Sequence, residues 1–317
     1  MITKKKIKIL IVDDSALIRQ TLQTVLESRN DMEVIGTAAD PYIAVHKMKS
    51  EKPDVITLDI QMPRMDGLTF LKKIMTQHPI PVVVISSITQ KESKIAITAF
   101  DYGAIEVIEK PIMSSELLHD QWKERLFDAI ITASRSMIIK NIKTSLKRSQ
   151  IAIESQKPIK STSKISNSFI LIGSSAGGTE VIKSIVSQLD KSTSPILIVQ
   201  HMPLQFTGAY AARLNETSNL HIKEAASGDE ISRGMAFLAP GDKHMEIKNN
   251  GFNFFIELNS NEKVNRHRPS VDVLFNSALK IKGSKILAII LSGMGNDGSS
   301  SMLKLKEAGA ITIAQNS

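Results

Sequence analysis

LIGSSAGGTEVIKSIV, residues 171–186, reads as a short apolar strand, a tight turn and an amphipathic helix. Ile182, Ile185, Val186 and Leu189 share one face of that helix. A glycine-bearing turn before a helix N-terminus serves two chemistries: it cradles phosphate, or it presents a nucleophile. The phosphate patterns fail here, because neither G-x-G-x-x-G nor the Walker lysine is met. The elbow pattern G-x-S-x-G is met by Gly173, Ser175 and Gly177, which selects Ser175 over Ser174. On that template the backbone N–H of Ala176 lies where an oxyanion needs a donor. Alone, the match does not separate an elbow from a plain tight turn.

A serine nucleophile needs a base, and the base needs an orienting acid. The next strand, PILIVQHMP (195–203), ends in His201, and ILAIILSGMGNDG (286–298) ends in a glycine-rich loop that holds Asp297. Glycines around Met294 would free a second backbone donor for the oxyanion. The chain order Ser, His, Asp differs from the Ser, Asp, His order of the usual α/β-hydrolases. His201 competes with His244 and His267 for the base, and a metal site from the three with Asp297 lacks any close histidine spacing.

The first half follows the same strand-then-helix logic. IKILIV (7–12), DVITL (54–58), PVVVI (81–85) and IEVI (105–108) are β-branched runs. Between them lie helical stripes such as Ile18, Leu22, Val25, Leu26 and Leu71, Ile74, Met75. Functional residues of open parallel sheets gather beyond the carboxyl ends of the strands. There stand Asp13, Asp14, Asp59, Ser86 and Lys110. Carboxylates crowded at one edge call for a cation, and Mg²⁺ suits few carboxylates plus water and phosphate oxygens. A carboxylate can also carry an acyl phosphate, with Lys110 and Ser86 placed to bind the added oxygens.

The 317 residues suffice for two domains, with 1–125 and 168–317 as βα units and 126–167 as a linker. The linker starts as a helix and continues as a flexible, basic Ser/Lys-rich stretch. Lys and Arg number 40 against 32 Asp and Glu, a net +8 concentrated at the N-terminus and in the linker. With aromatics at only 4%, that charge describes solvated segments rather than a nucleic-acid platform. No secretory core or membrane-length run occurs, and the absence of cysteine excludes disulfides and fits a reducing cytoplasm. The expected class is α/β, with two doubly wound parallel-sheet domains.

ILIVDDSALIRQ, DVITLDIQMPRMDG, VVVISS and EKP resemble a response-regulator receiver domain over about Ile7–Arg125. The resemblance implies a flavodoxin-like fold with Asp59 as phosphoacceptor. Asp13, Asp14, Asp59 and the backbone of Gln61 would hold Mg²⁺, with Ser86 as switch hydroxyl and Lys110 as phosphate-pairing lysine. GSSAGGTE, VQHMP, APGDKHME, VNRHRPSVDVLF and ILSGMGNDG resemble the catalytic domain of the CheB family of chemotaxis protein-glutamate methylesterases, from about Phe169 onward. That implies a Rossmann-like three-layer domain with Ser175 as nucleophile, His201 as base and Asp297 as its partner. Ala176 and Met294 would supply oxyanion donors, and Arg268 and Asp272 would line a substrate groove.

The implied function is phosphorylation-activated hydrolysis of glutamate methyl esters on chemoreceptors, with deamidation of receptor glutamines as a related activity. The implied partners are methyl-accepting chemotaxis receptors and a chemotaxis histidine kinase, for a monomeric cytoplasmic enzyme that needs no cofactor for the ester step and neither nucleic acid nor membrane insertion. Unphosphorylated receiver is expected to limit access to the active site. Two positions depart from the family pattern: Ala176 stands where a threonine is common, and the chain stops at ITIAQNS, before the strand and helix that usually follow. The second departure is expected to leave a sheet edge uncovered. A receiver controlling an inactive hydrolase domain and a DNA-binding regulator are the competing readings, and the sequence carries no helix-turn-helix for the latter.

Overall fold

The structure, a computed structural model, describes residues 5–87, 90–111, 116–146, 168–291 and 295–315. Packing divides the chain into two units, Met1–Met137 and Ile138–Ser317. Both are α/β with parallel sheets, as expected.

The first unit runs β1 (Ile7–Val12), α1 (Ala16–Glu27), β2 (Met32–Ala38), α2 (Pro41–Ser50), β3 (Val55–Asp59), α3 (Gly67–Gln77), β4 (Val82–Ser86), α4 (Gln90–Thr98), β5 (Glu106–Glu109) and α5 (Glu116–Leu146). Its five strands are parallel in the order β2-β1-β3-β4-β5. β3 and β4 are buried along their whole length, as strands covered on both faces must be. The first three helices start on side chains that satisfy orphan N–H groups. Asp40 accepts from Tyr42 and Ile43 ahead of α2, and Asp66 accepts from Thr69 ahead of α3. The strand order reverses between β1 and β3, which opens a crevice at their carboxyl ends.

α5 is tied to β5 through Glu109. Trp122 Nε1–H donates to the Glu109 carbonyl at 2.7 Å, and Arg125 Nη1 reaches both carboxylate oxygens at 2.7 and 2.8 Å. The helix passes position 125 with Leu126, Ile130 and Ala133 buried, and it continues to Leu146. Residues 147–167 of the Ser/Lys-rich stretch lie outside the described residues.

The second unit runs β6 (Ser168–Ser174), α6 (Thr179–Val186), β7 (Ile196–Gln200), α7 (Leu204–Glu216), β8 (His221–Glu224), β9 (Met235–Leu238), β10 (His244–Asn249), β11 (Phe254–Asn259), α8 (Val271–Leu279), β12 (Lys285–Ile290), α9 (Ser299–Glu307) and β13 (Ile311–Ala314). Six parallel strands stand in the order β13-β12-β6-β7-β9-β8. β10 and β11 form a separate antiparallel hairpin. Met245, Ile247, Phe254 and Ile256 of the hairpin join Phe169, Leu171, Leu274 and Phe275 in one core. The chain leaves β6 toward β7 on one side and returns as β12 on the other, so the switch point lies at the carboxyl end of β6. At the far edge, β13 carries Ile311 and Ile313 at 67% and 49% exposure. No helix among the described residues is long and apolar enough to cross a membrane.

Candidate active site

The register of three strands assembles the site. Gly173 of β6 pairs with Val199 of β7 and with Ile290 of β12, and Ser174 pairs with Gln200. Ser175 and His201 are therefore the first residues beyond neighbouring parallel strands. The His201 N–H donates to the Ser174 carbonyl at 3.0 Å. The Ser175 carbonyl accepts from Gln200 Nε2 at 2.9 Å and from the Gly178 N–H at 3.1 Å, which pins the elbow. Gln200 is fully buried, so its amide is fixed by packing as well.

Two glycines explain why this turn can meet α8. A methyl group on Gly173 would lie 2.4 Å from Val271 Cγ1, and one on Gly298 would lie 2.5 Å from the same atom. Val271 is thus wedged between the elbow and the loop that carries Asp297. Its own N–H, at the start of α8, donates to Asp297 Oδ2 at 2.7 Å.

His201 Nε2 lies 2.9 Å from Asp297 Oδ2. A carboxylate only accepts, so Nε2 carries a proton, and in the neutral ring Nδ1 keeps its lone pair. Nδ1 is buried and has no hydrogen-bond partner among the described residues, so the Ser175 hydroxyl is not bonded to it in this state. Catalytic hydrogen bonds of this kind often tighten only when substrate arrives. The ring is inverted relative to the serine-protease template, in which Nδ1 faces the aspartate.

Asp297 is held from every side. Oδ1 accepts from Ser270 Oγ at 2.7 Å, from Asn265 Nδ2 at 3.0 Å and from the Asp272 N–H at 3.3 Å. Burial works against its ionisation, but the bonds from His201, Asn265 and Ser270 outweigh burial and hold the carboxyl well below the usual carboxylate range. It stays an anion at the positive end of α8.

The rival histidines take other roles. His244 is buried, with Nδ1 accepting from the Ser270 N–H at 3.3 Å and Nε2 donating to the Glu262 carbonyl at 3.0 Å. It positions Ser270, which in turn holds Asp297. His267 stacks on His201, with ring centroids 3.7 Å apart and planes within 5°. Sequence reasoning missed the parts of Asn265, Ser270 and Gln200, although all three flank or adjoin the histidines and aspartate that it singled out.

The two residues expected to line a groove are engaged within the unit. Arg268 Nε and Nη2 donate to Asp242 Oδ1 at 3.0 and 2.6 Å, and Nη1 to the carbonyls of Ser260 and Asn261. Asp272 is buried, accepting from the Ser301 N–H at 3.0 Å, from Ser301 Oγ and from Asn265 Nδ2. Both residues brace the loop because their polar atoms are consumed by backbone and neighbouring side chains. Ala176 follows Ser175 and is buried, whereas Met294 lies outside the described residues.

In the first unit, Asp13, Asp14 and Asp59 each bring a carboxylate oxygen within 4.8 Å of the others. Lys110 Nζ lies 2.8 Å from Asp59 Oδ2 and 3.0 Å from Asp13 Oδ2. Burial, reinforced by Asp13, pushes Asp59 up to about 6 against the pull of Lys110. Burial likewise raises Asp13. Carboxylates raised in this way seek a hard cation, and the donor set fits Mg²⁺. The Gln61 N–H donates to Asp59 Oδ1 at 3.2 Å, which keeps that backbone beside the cluster. Ser86 is buried at the end of β4, and its carbonyl accepts the Lys110 N–H at 2.8 Å.

Residues 170–317 match CheB methylesterase and residues 9–121 match the response regulator receiver domain. The protein-glutamate methylesterase/protein-glutamine glutaminase 3 of Geobacter metallireducens is 44% identical over 98% of this chain and 89% of its own length. The chain belongs to the CheB methylesterase family. A second relative, the protein-glutamate methylesterase/protein-glutamine glutaminase of Salmonella typhimurium, is 43% identical over 98% of this chain and 87% of its own. The crystal structure of the Thermotoga maritima CheB methylesterase catalytic domain is 40% identical with a TM-score of 0.45, covering 49% of this chain and 80% of that one. The CheB methylesterase match spans Ser175, His201 and Asp297, and the receiver match spans the acidic cluster and Lys110.

Proposed function

We propose that the chain removes methyl groups from glutamate methyl esters of chemoreceptors, releasing methanol, and hydrolyses receptor glutamine amides by the same route. The observation that carries this reading is His201, with Nε2 on Asp297 and Nδ1 left as a buried, unengaged acceptor beside the Ser175 elbow.

His201 Nδ1 takes the Ser175 hydroxyl proton as Oγ attacks the ester carbonyl. Asp297 stabilises the imidazolium that forms. The oxyanion points to the backbone donors of Ala176 and Met294. His201 then returns its proton to the departing methoxide, and methanol leaves an acyl-enzyme on Ser175. Water, deprotonated by the same nitrogen, releases glutamate and restores the serine. An amide follows the same steps with ammonia as the leaving group. No cofactor takes part in these steps.

Asp59 accepts the phosphoryl group from a histidine kinase of the chemotaxis system. Asp13, Asp14, Asp59 and the Gln61 backbone would hold Mg²⁺, which would supply charge neutralisation for that transfer. Lys110 and the Ser86 hydroxyl pair with the added oxygens, and the receiver shifts toward the state that frees the esterase. The protein works as a cytoplasmic monomer.

The decisive experiment measures methanol release from methylated receptor, with and without a small-molecule phosphodonor and Mg²⁺, against Ser175→Ala. Donor-stimulated release that vanishes in the variant is expected. Release that survives Ser175→Ala would refute the serine mechanism.

A further inference from the structure

We infer that the turn Val264–His267 is a positioning clamp for the catalytic pair. In it, His267 holds the plane of the His201 ring by stacking, and Asn265 holds the Asp297 carboxylate. The inference rests on the esterase reading and adds to it two residues that do not themselves meet the substrate.

The turn is rigid by construction. Val264 and His267 form an antiparallel bridge, exchanging N–H···O bonds of 3.1 and 2.9 Å. The two residues between them, Asn265 and Arg266, have φ of 52° and 69°. Two successive left-handed residues are the signature of a tight two-residue hairpin turn, and asparagine tolerates that conformation better than most residues. The cost of placing an arginine there as well is met by the bonds at both ends.

That frame aims two side chains. Asn265 Nδ2 donates to Asp297 Oδ1 at 3.0 Å and to Asp272 Oδ2 at 2.6 Å. Both acceptors are carboxylates, so the nitrogen end of the amide must face them. Two residues on, the His267 ring lies against His201 at 3.7 Å and 5°.

The mechanical need is plain. A single hydrogen bond at Nε2 fixes one atom of the His201 ring and leaves the ring free to pivot about that contact. Nδ1 would then sweep away from Ser175. A flat partner against the ring face removes the pivot. Misplacement by about 1 Å can cost ~100-fold in rate, so the second constraint matters. The same turn ties down the aspartate, which keeps base and acid in one registered frame.

The test compares the full-length chain with His267→Phe, His267→Leu and Asn265→Gly. Phenylalanine keeps a flat stacking face, leucine keeps apolar bulk without one, and glycine keeps the positive φ without the carboxamide. The readouts are the rate of Ser175 labelling by an activated phosphonate, kcat and KM for receptor demethylation, and the thermal midpoint. His267→Phe is expected within about threefold of the parent. His267→Leu is expected to lose about tenfold or more in kcat and labelling at unchanged KM. Asn265→Gly should fall in the same direction. Equal rates for the Phe and Leu variants, or a change confined to KM or to the thermal midpoint, would overturn the clamp while leaving the esterase intact. A parent chain that fails to label at all would remove the serine reading and the clamp with it.

Discussion

Gly173 and Val271 approach so closely that a methyl group on the glycine would lie 2.4 Å from Val271 Cγ1. The elbow and the start of α8 therefore leave no room for a side chain at Gly173. Gly173→Ala should cost about 1–3 kcal/mol of stability, the usual range for overpacking. It should also slow phosphonate labelling of Ser175 by at least about tenfold, because the displaced helix carries the N–H groups that hold Asp297. Pairing it with Val271→Ala, which makes room, should recover part of both losses. A thermal melt and a labelling time course on the single and double variants check this.

Asp297→Asn should lower kcat for demethylation by roughly 10³–10⁴-fold, as loss of the orienting acid does in the serine-protease template. An amide in that place confronts donors from His201, Ser270 and Val271 with fewer acceptor sites. KM should change little. Steady-state kinetics on methylated receptor separate the two parameters.

Arg268→Gln tests a bracing role for that residue. Its guanidinium is bound to Asp242 and to two backbone carbonyls. The variant should lower the thermal midpoint by an amount equivalent to about 1–3 kcal/mol. A residue that bound substrate would instead raise KM with the midpoint unchanged.

Much of this arrangement is legible in the order of the amino acids alone. Buried strands such as β1, β3, β4, β6 and β7 announce themselves as unbroken Ile and Val runs, and their carboxyl ends name Asp13, Asp59, Ser86, Ser175 and His201. β2 and β13 lack that signal because edge strands mix exposed and buried residues, as the partly exposed pattern of Met32–Ala38 does. The β10–β11 hairpin lacks it because half its residues face outward. Arg268 and Asp272 enter as groove residues only through the family resemblance. Their partners, Asp242 and Ser301, lie 26 and 29 residues away, and only folding reveals the pairing. The stack of His267 on His201 joins residues far apart in the chain and has no local signature.

Acid should act on the two units in opposite senses. In the first unit, Asp59 has its folded pKa raised to about 6 from 3.8, so the native state holds a proton that the unfolded chain releases. Its ionisation costs stability above about pH 6, on the order of 3 kcal/mol at neutral pH, and the cost fades as pH falls toward 4. Asp59→Asn should therefore raise the unfolding midpoint of this unit by a few degrees at pH 7.5 without Mg²⁺. The gain should vanish near pH 4. In the second unit, the lowered pKa of Asp297 gives stability that is complete above about pH 4 and is lost as pH falls further. Calorimetry from pH 8 down to well below pH 4 on the parent and both asparagine variants resolves the two trends.

Mg²⁺ should raise the first unit's midpoint in the parent chain and less so in Asp14→Asn. Asp14 is the exposed member of the three-carboxylate cluster, so the change removes a ligand without opening the core. Titrating Mg²⁺ while following the melt gives the apparent affinity of each form, and chelation should return the parent to its metal-free value.

Asp297 holds His201 and the first turn of α8 with the same two oxygens. This doubling bears on how such a sequence can drift. A lineage released from selection for turnover could shed Ser175 at little cost to its architecture, since among the described residues that hydroxyl holds no hydrogen bond. Losing the aspartate would weaken a helix and leave buried donors stranded. Descendants that have abandoned chemistry but remain folded should therefore be marked by a replaced serine above an intact aspartate, so the aspartate is the poorer witness to whether a descendant is still an enzyme.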